Sequence, residues 1–75
     1  LNNQAKSARY AAKGREIFKA KQPRQSLKYF AKAIKLDASK DELYYEFAVA
    51  LYSANMSLRA LPIFNMLEGS PSVNQ

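Results

Sequence analysis

Several side chains in this sequence have types and spacings that could do chemistry. Glu42 and Glu46 stand one helical turn apart, a spacing at which two carboxylates can cooperate in proton transfer. Arg15 and Lys19 share that spacing and could pair with the carboxylates of a partner. Tyr45 and Tyr52 offer broad apolar rings that end in a hydroxyl, a combination common at binding hot spots. Arg24, Lys28, Lys32 and Lys35 form a basic stripe able to meet phosphates or an acidic protein. No histidine and no cysteine accompanies any of these groups, and the chain has only two glycines. The carboxylate pair therefore lacks a nucleophile, a metal-ligand set or a phosphate-cradling loop to complete a site. The sequence argues against an enzyme and calls for no metal and no cofactor, which leaves binding as the chemistry on offer.

Charge says something about the partner. The 75 residues carry a net charge of +6. Residues 1–40 hold 11 Lys and Arg against 2 Asp and Glu, a balance of +9, whereas residues 41–75 hold 1 against 4, a balance of −3. That asymmetry suits an acidic partner for the first half, although solvation of helix surfaces accounts for most lysines in most proteins. Nucleic acid is the less favoured partner, because only Tyr29 stands beside the basic stripe to stack on a base. No apolar run approaches the roughly 20 residues that a membrane-spanning helix needs. The start at Leu1 reads as an internal fragment or a processed chain. Cytoplasm and periplasm are equally compatible with a chain free of cysteine, so localisation stays unknown.

These side chains have to be positioned by helices. Apolar residues recur at steps of three and four, and few glycines and prolines interrupt them. The pattern predicts an all-α fold with helices over Ala5–Lys21, Arg24–Leu36, Lys40–Ala54 and Leu58–Glu68. Pro23 either stops the first helix or opens the second. Ser39 and Glu42 have capping-box spacing at the third helix, and Ser57 is the expected N-cap of the fourth. Pro62, one turn into that helix, is expected to distort its first turn. Gly69 and Pro71 form a stop.

The four segments are two copies of one pattern. A shift of about 34 residues lays Tyr10 on Tyr44, Gly14 on Ala48, Ile17 on Leu51, Phe18 on Tyr52, Ser26 on Ala60 and Phe30 on Phe64. Large falls on large and small on small. Gly14, Ala48, Ser26 and Ala60 would let paired helices approach closely, and Tyr10, Phe30, Tyr44 and Phe64 would fill the space between them. With Ala33 and the stretch AKAIKLDA, these residues make nearly the whole chain, about residues 7–71, resemble the tetratricopeptide repeat family. Departures are Ala38 at a usual proline, Lys13 at a common leucine, Leu67 at a small alanine and Asn55 at the turn glycine. Asparagine tolerates the left-handed geometry such a turn requires.

The resemblance implies one domain over residues 1–75. It would comprise two antiparallel helix-turn-helix hairpins stacked as a piece of an α-solenoid, with repeat one at about 7–40, repeat two at about 41–71 and a frayed tail at 72–75. It further implies a longer array and a role as a scaffold or adaptor that binds a partner peptide or helix in a concave groove. By that analogy the groove-lining positions are Ala8, Ala11, Ala12, Arg15, Phe18 and Lys19, then Glu42, Tyr45, Glu46, Val49, Tyr52 and Ser53. Arg15, Lys19, Tyr45, Val49 and Tyr52 are the expected peptide contacts. A subclass that grips the C-terminal carboxylate of heat-shock chaperones is matched poorly, since Ala11 and Glu46 stand where Lys or Asn is needed. The last helix, with Leu58, Leu61, Ile63, Phe64, Met66 and Leu67, is apolar around much of its surface. It suggests an alternative role as an assembly element that self-associates through that helix.

Overall fold

The computed structural model describes residues 2–69, and these form four α-helices: α1 (Asn3–Lys19), α2 (Pro23–Leu36), α3 (Asp41–Ser53) and α4 (Ser57–Glu68). The fold is all-α, as the apolar spacing predicts. The expected stop at Pro71 and the expected tail at 72–75 lie outside the described residues.

Each helix start has a local cause, and several differ from expectation. α1 begins earlier than Ala5 because Asn2 caps it, its side-chain oxygen accepting from the Ala5 N–H at 2.8 Å. Pro23 opens α2 at the first helical position, where its missing N–H costs nothing. The capping box at Ser39 does not form. Lys40 is the N-cap of α3, and Ser39 instead donates from its hydroxyl and its N–H to Asp37 Oδ1, at 2.6 and 3.1 Å. An Asp side chain at the end of α2 competes successfully for the serine. Asp41 and Glu42 still sit in the first turn of α3, at the positive end of its dipole. Ser57 is likewise not a cap. Met56 holds that position and Ser57 is already helical. α4 runs unbroken through Pro62. The Met56 carbonyl accepts from both Arg59 and Ala60, at 3.0 and 3.2 Å, so the first turn carries one tighter i to i−3 bond.

The ends of α1 and α3 are built alike. Lys21 and Asn55, 34 residues apart, both have φ 67°. In α1 the Lys21 N–H donates to the Phe18 carbonyl at 3.0 Å and the Gln22 N–H to the Ile17 carbonyl at 3.3 Å. In α3 the Asn55 N–H donates to the Tyr52 carbonyl at 3.1 Å and the Met56 N–H to the Leu51 carbonyl at 2.9 Å. Both are Schellman turns, in which a left-handed residue folds the chain back so that its next N–H groups satisfy the last carbonyls. Helices α1 and α3 thus end in the same turn, one sequence period apart.

Packing follows these turns. α1 lies against α2, α2 against α3, and α3 against α4. Gly14 lets α1 and α2 approach, because a β-carbon there would stand 3.1 Å from Cε1 of Phe30, itself buried. Ala48 and Ala60 are buried together with Leu51, and Leu27, Phe47, Met56, Ile63 and Phe64 pack on them. A second cluster joins Ala11, Ala33 and Leu43, with Tyr10 and Ile34 against it. Ser26 and Ala60, equivalent by the 34-residue shift, are both fully buried. Ser26 bonds the Pro23 carbonyl at 2.6 Å, and buried Ser7 ties α1 to α2 by donating to the Ala33 carbonyl at 2.7 Å. Tyr44 is half-buried like its counterpart Tyr10.

Candidate functional site

A cleft of about 230 Å³ opens between α1, α2 and α3. α1 contributes Arg15, Phe18 and Lys19 to it, α2 contributes Phe30, and α3 contributes Tyr45, Glu46 and Val49. The helical spacing explains the grouping. Arg15, Phe18 and Lys19 share one side of α1 at steps of three and four, and Tyr45, Glu46 and Val49 do the same on α3. The Schellman turn at Lys21 fixes how α2 returns along α1 and so places Phe30 beneath them.

Four of the five expected peptide contacts, Arg15, Lys19, Tyr45 and Val49, therefore line one concavity. Tyr52 does not join them: it is 65% exposed and outside the cleft. Its place one turn beyond Val49 on a short helix carries it past the opening. Ala11, expected on the groove, is 1% exposed and packs with Ala33 and Leu43; it lies at the base of a smaller concavity of about 120 Å³ that Ala8, Arg15 and Glu42 also line. Ala8, Ala12, Glu42 and Ser53 are exposed.

The main feature that sequence reasoning missed is a pairing across the cleft. The Arg15 Nε and a terminal guanidinium nitrogen donate to the two Glu46 oxygens at 2.5 and 2.8 Å, a bidentate bond between α1 and α3. The bond to the Glu46 carboxylate holds the Arg15 guanidinium above its ordinary value. Burial works against this, and the charges of Glu46 and Glu42 add to it. The signal was present in the 34-residue shift. Arg15 is equivalent to Val49, and Glu46 stands one turn before Val49 on the matching face.

The surface that results is an apolar floor of Phe18, Phe30 and Val49 beneath a polar rim. Tyr45 is 56% exposed, with its ring edge-on to Phe64 at a centroid distance of 6.0 Å. Lys19 is exposed and, among the described residues, makes no ion pair. Such a surface can take up an apolar side chain and hold its flanking polar groups. Among the described residues there is no cluster of three or more His, Cys, Asp or Glu able to hold a metal, and no helix is long and apolar enough to cross a membrane. No family model matches this chain, and neither a curated protein nor a solved structure matches it at the significance required.

Proposed function

We propose that this chain is a protein-interaction module of the tetratricopeptide type, which binds a partner segment by one apolar side chain in the α1–α2–α3 cleft. The observation that carries this reading is the convergence of Arg15, Lys19, Tyr45 and Val49 on one concavity with an aromatic floor. The partner inserts an aliphatic or aromatic anchor over Phe18, Phe30 and Val49, and Lys19 and the Tyr45 hydroxyl hold its polar neighbours. The repeated Schellman turns and the repeated small buried positions support a two-repeat solenoid piece as the scaffold. The role is scaffold or adaptor, with no catalysis and no cofactor.

The test is affinity capture from nuclease-treated source lysate with the wild type and with Val49→Lys/Tyr45→Ala. Both substitutions lie on the cleft surface, and a thermal melt checks that the double variant folds. A protein retained by the wild type and lost by the variant carries the reading. Equal retention by both removes the cleft from the interface.

The assembly reading has its own observation. On α4, Leu58 is 83% exposed, Leu61 52% and Met66 51%. Leu27, the counterpart of Leu61 one repeat earlier, packs against Ala48, Leu51 and Ala60. Light scattering after size exclusion, over a wide concentration range, decides this reading. A monomer throughout rejects self-association through α4. The chaperone-tail reading has less support, because Ala11 is buried and Glu46 already occupies Arg15.

A further inference from the structure

The α1–α2 hairpin has a second concave surface on which charge and aromatic rings meet. Lys6, Arg9 and Lys13 follow one another along α1 at steps of three and four, and with Tyr10 and Tyr29 they line a cleft of about 430 Å³. The two tyrosine rings lie 6.4 Å apart between centroids, tilted by 33°. Lys32 and Lys28 of α2 extend the charge, with their Nζ atoms 5.3 Å from the ring centroids of Tyr10 and Tyr29 respectively. All five cations are exposed. Glu16, 3.6 Å from Lys13, is the carboxylate paired with this row.

The internal repeat shows that this chemistry is not imposed by the scaffold. Shifted by 34 residues, Arg9, Lys13 and Glu16 fall on Leu43, Phe47 and Ala50 of α3. There, Leu43 and Ala50 are buried and Phe47 packs on the Ala48–Leu51–Ala60 cluster. The same frame that packs apolar side chains in α3 presents cations in α1.

We propose that the α1–α2 face around Tyr10 and Tyr29 binds single-stranded nucleic acid. Cations three and four residues apart are about 4.5–6 Å from each other along the α1 axis. A flexible single strand can match this spacing with successive phosphates. The two tyrosines supply a π surface between cations on which a base can stack once a lysine swings aside. Cations seated over both rings combine backbone neutralisation with base stacking on one surface, and that combination favours a single strand. This surface is separate from the Arg15–Glu46 cleft, and neither proposal depends on the other.

The probe is a fluorescein-labelled 15-mer of uridine, titrated by anisotropy at several salt concentrations. Binding is expected with a slope of log affinity on log salt between about −2 and −3.5, for three to five phosphates neutralised. Arg9→Gln/Lys28→Gln, both at exposed helix positions, should reduce the slope by about 1.4. Tyr29→Leu should weaken binding about tenfold or more and leave the slope unchanged. Because Tyr29 is half-buried, its variant is read only alongside a thermal melt, and the charge variant tests the surface if Tyr29→Leu fails to fold. No measurable binding overturns the proposal, as does a slope that the charge variant leaves unchanged. Displacement of the oligonucleotide by polyglutamate of equal charge, with Tyr29→Leu silent, overturns it in favour of an acidic protein. Tighter binding of a duplex of the same length overturns it as well.

Discussion

Lys21 occupies a backbone conformation that its side chain disfavours, and that makes a sharp test of the repeated turn. At φ 67° an L-residue with a β-carbon costs about 1–2 kcal/mol relative to its right-handed form. Glycine escapes that cost but loses more freedom on folding, about 0.5–1 kcal/mol. Lys21 also places a cation after the α1 C-terminus, where removing a charge costs about 0.3 kcal/mol. Lys21→Gly is therefore expected to stabilise the fold by about 0.5 kcal/mol. Lys21→Gln, which loses the charge and keeps the strain, should destabilise it by about 0.3 kcal/mol. The difference between the two variants, about 0.8 kcal/mol, isolates the backbone term. It corresponds to about 3–6 °C in melting temperature for a domain this small. Ala20, one residue earlier, is at φ −79°, so Ala20→Gly should lower stability by up to about 1 kcal/mol. Asn55→Gly, at the equivalent turn, should gain only about 0.3 kcal/mol, since asparagine tolerates the geometry. Thermal and urea unfolding followed by circular dichroism measure all four. If Lys21→Gly is no more stable than Lys21→Gln, or if Ala20→Gly is as stable as the wild type, the left-handed turn at Lys21 is wrong.

Other perturbations test the packing and the site. Gly14→Ala gains about 1 kcal/mol of helix propensity but presses a β-carbon to 3.1 Å from a buried ring; with overpacking at about 1–3 kcal/mol, a net loss near 1 kcal/mol is expected in urea unfolding, and Phe30→Leu in the same chain should reverse its sign. A double-mutant cycle on Arg15→Gln and Glu46→Gln should give a coupling of about 0.5–1 kcal/mol, kept small because the Arg15 side chain is 41% exposed, and should shrink in high salt. The Ser39 hydroxyl and N–H, and then the Lys40 charge, hold the Asp37 carboxyl below its ordinary value, so its stabilising contribution is present above that value and lost as the pH falls through the lowered one. The urea midpoint should consequently drop more steeply for the wild type than for Asp37→Asn as the pH falls through and below the ordinary carboxylate range.

Helices were legible here because burial in this chain is periodic. The step of three and four puts Gly14, Phe30 and Ala48 on apolar faces, the 34-residue shift adds Ala60 and the resemblance adds Ala33, and all five are buried. Helix ends were less legible, because a cap is decided by competition between near neighbours. Ser39 has an attractive partner in Glu42 by spacing, and a better one in Asp37, which spacing alone does not rank. Ala11 illustrates the limit of family analogy. The resemblance leaves Ala11 open to a groove, whereas here α3 brings Leu43 against it and leaves it 1% exposed. Tyr52 differs in the other direction: its ring is 65% exposed and lies outside the cleft that the other four expected contacts line.

The Arg15–Glu46 bond changes what the proposed cleft can recognise. Without it, Arg15 would be the strongest anion-binding group on the rim. With it, a partner carboxylate at Arg15 must displace Glu46 from two short bonds and leave a half-buried carboxylate unpaired. Coulomb repulsion between Glu46 and the incoming carboxylate adds to that cost. Lys19 carries no such burden, so the cation available to a partner lies at one end of the cleft, beside Phe18. The bond also ties α1 to α3 within the lining of the cleft. Specificity in this cleft would come first from the size of the apolar side chain that its volume of about 230 Å³ admits, and only then from charge. A partner with a large apolar residue and an acid on its Lys19 side is the arrangement that satisfies both.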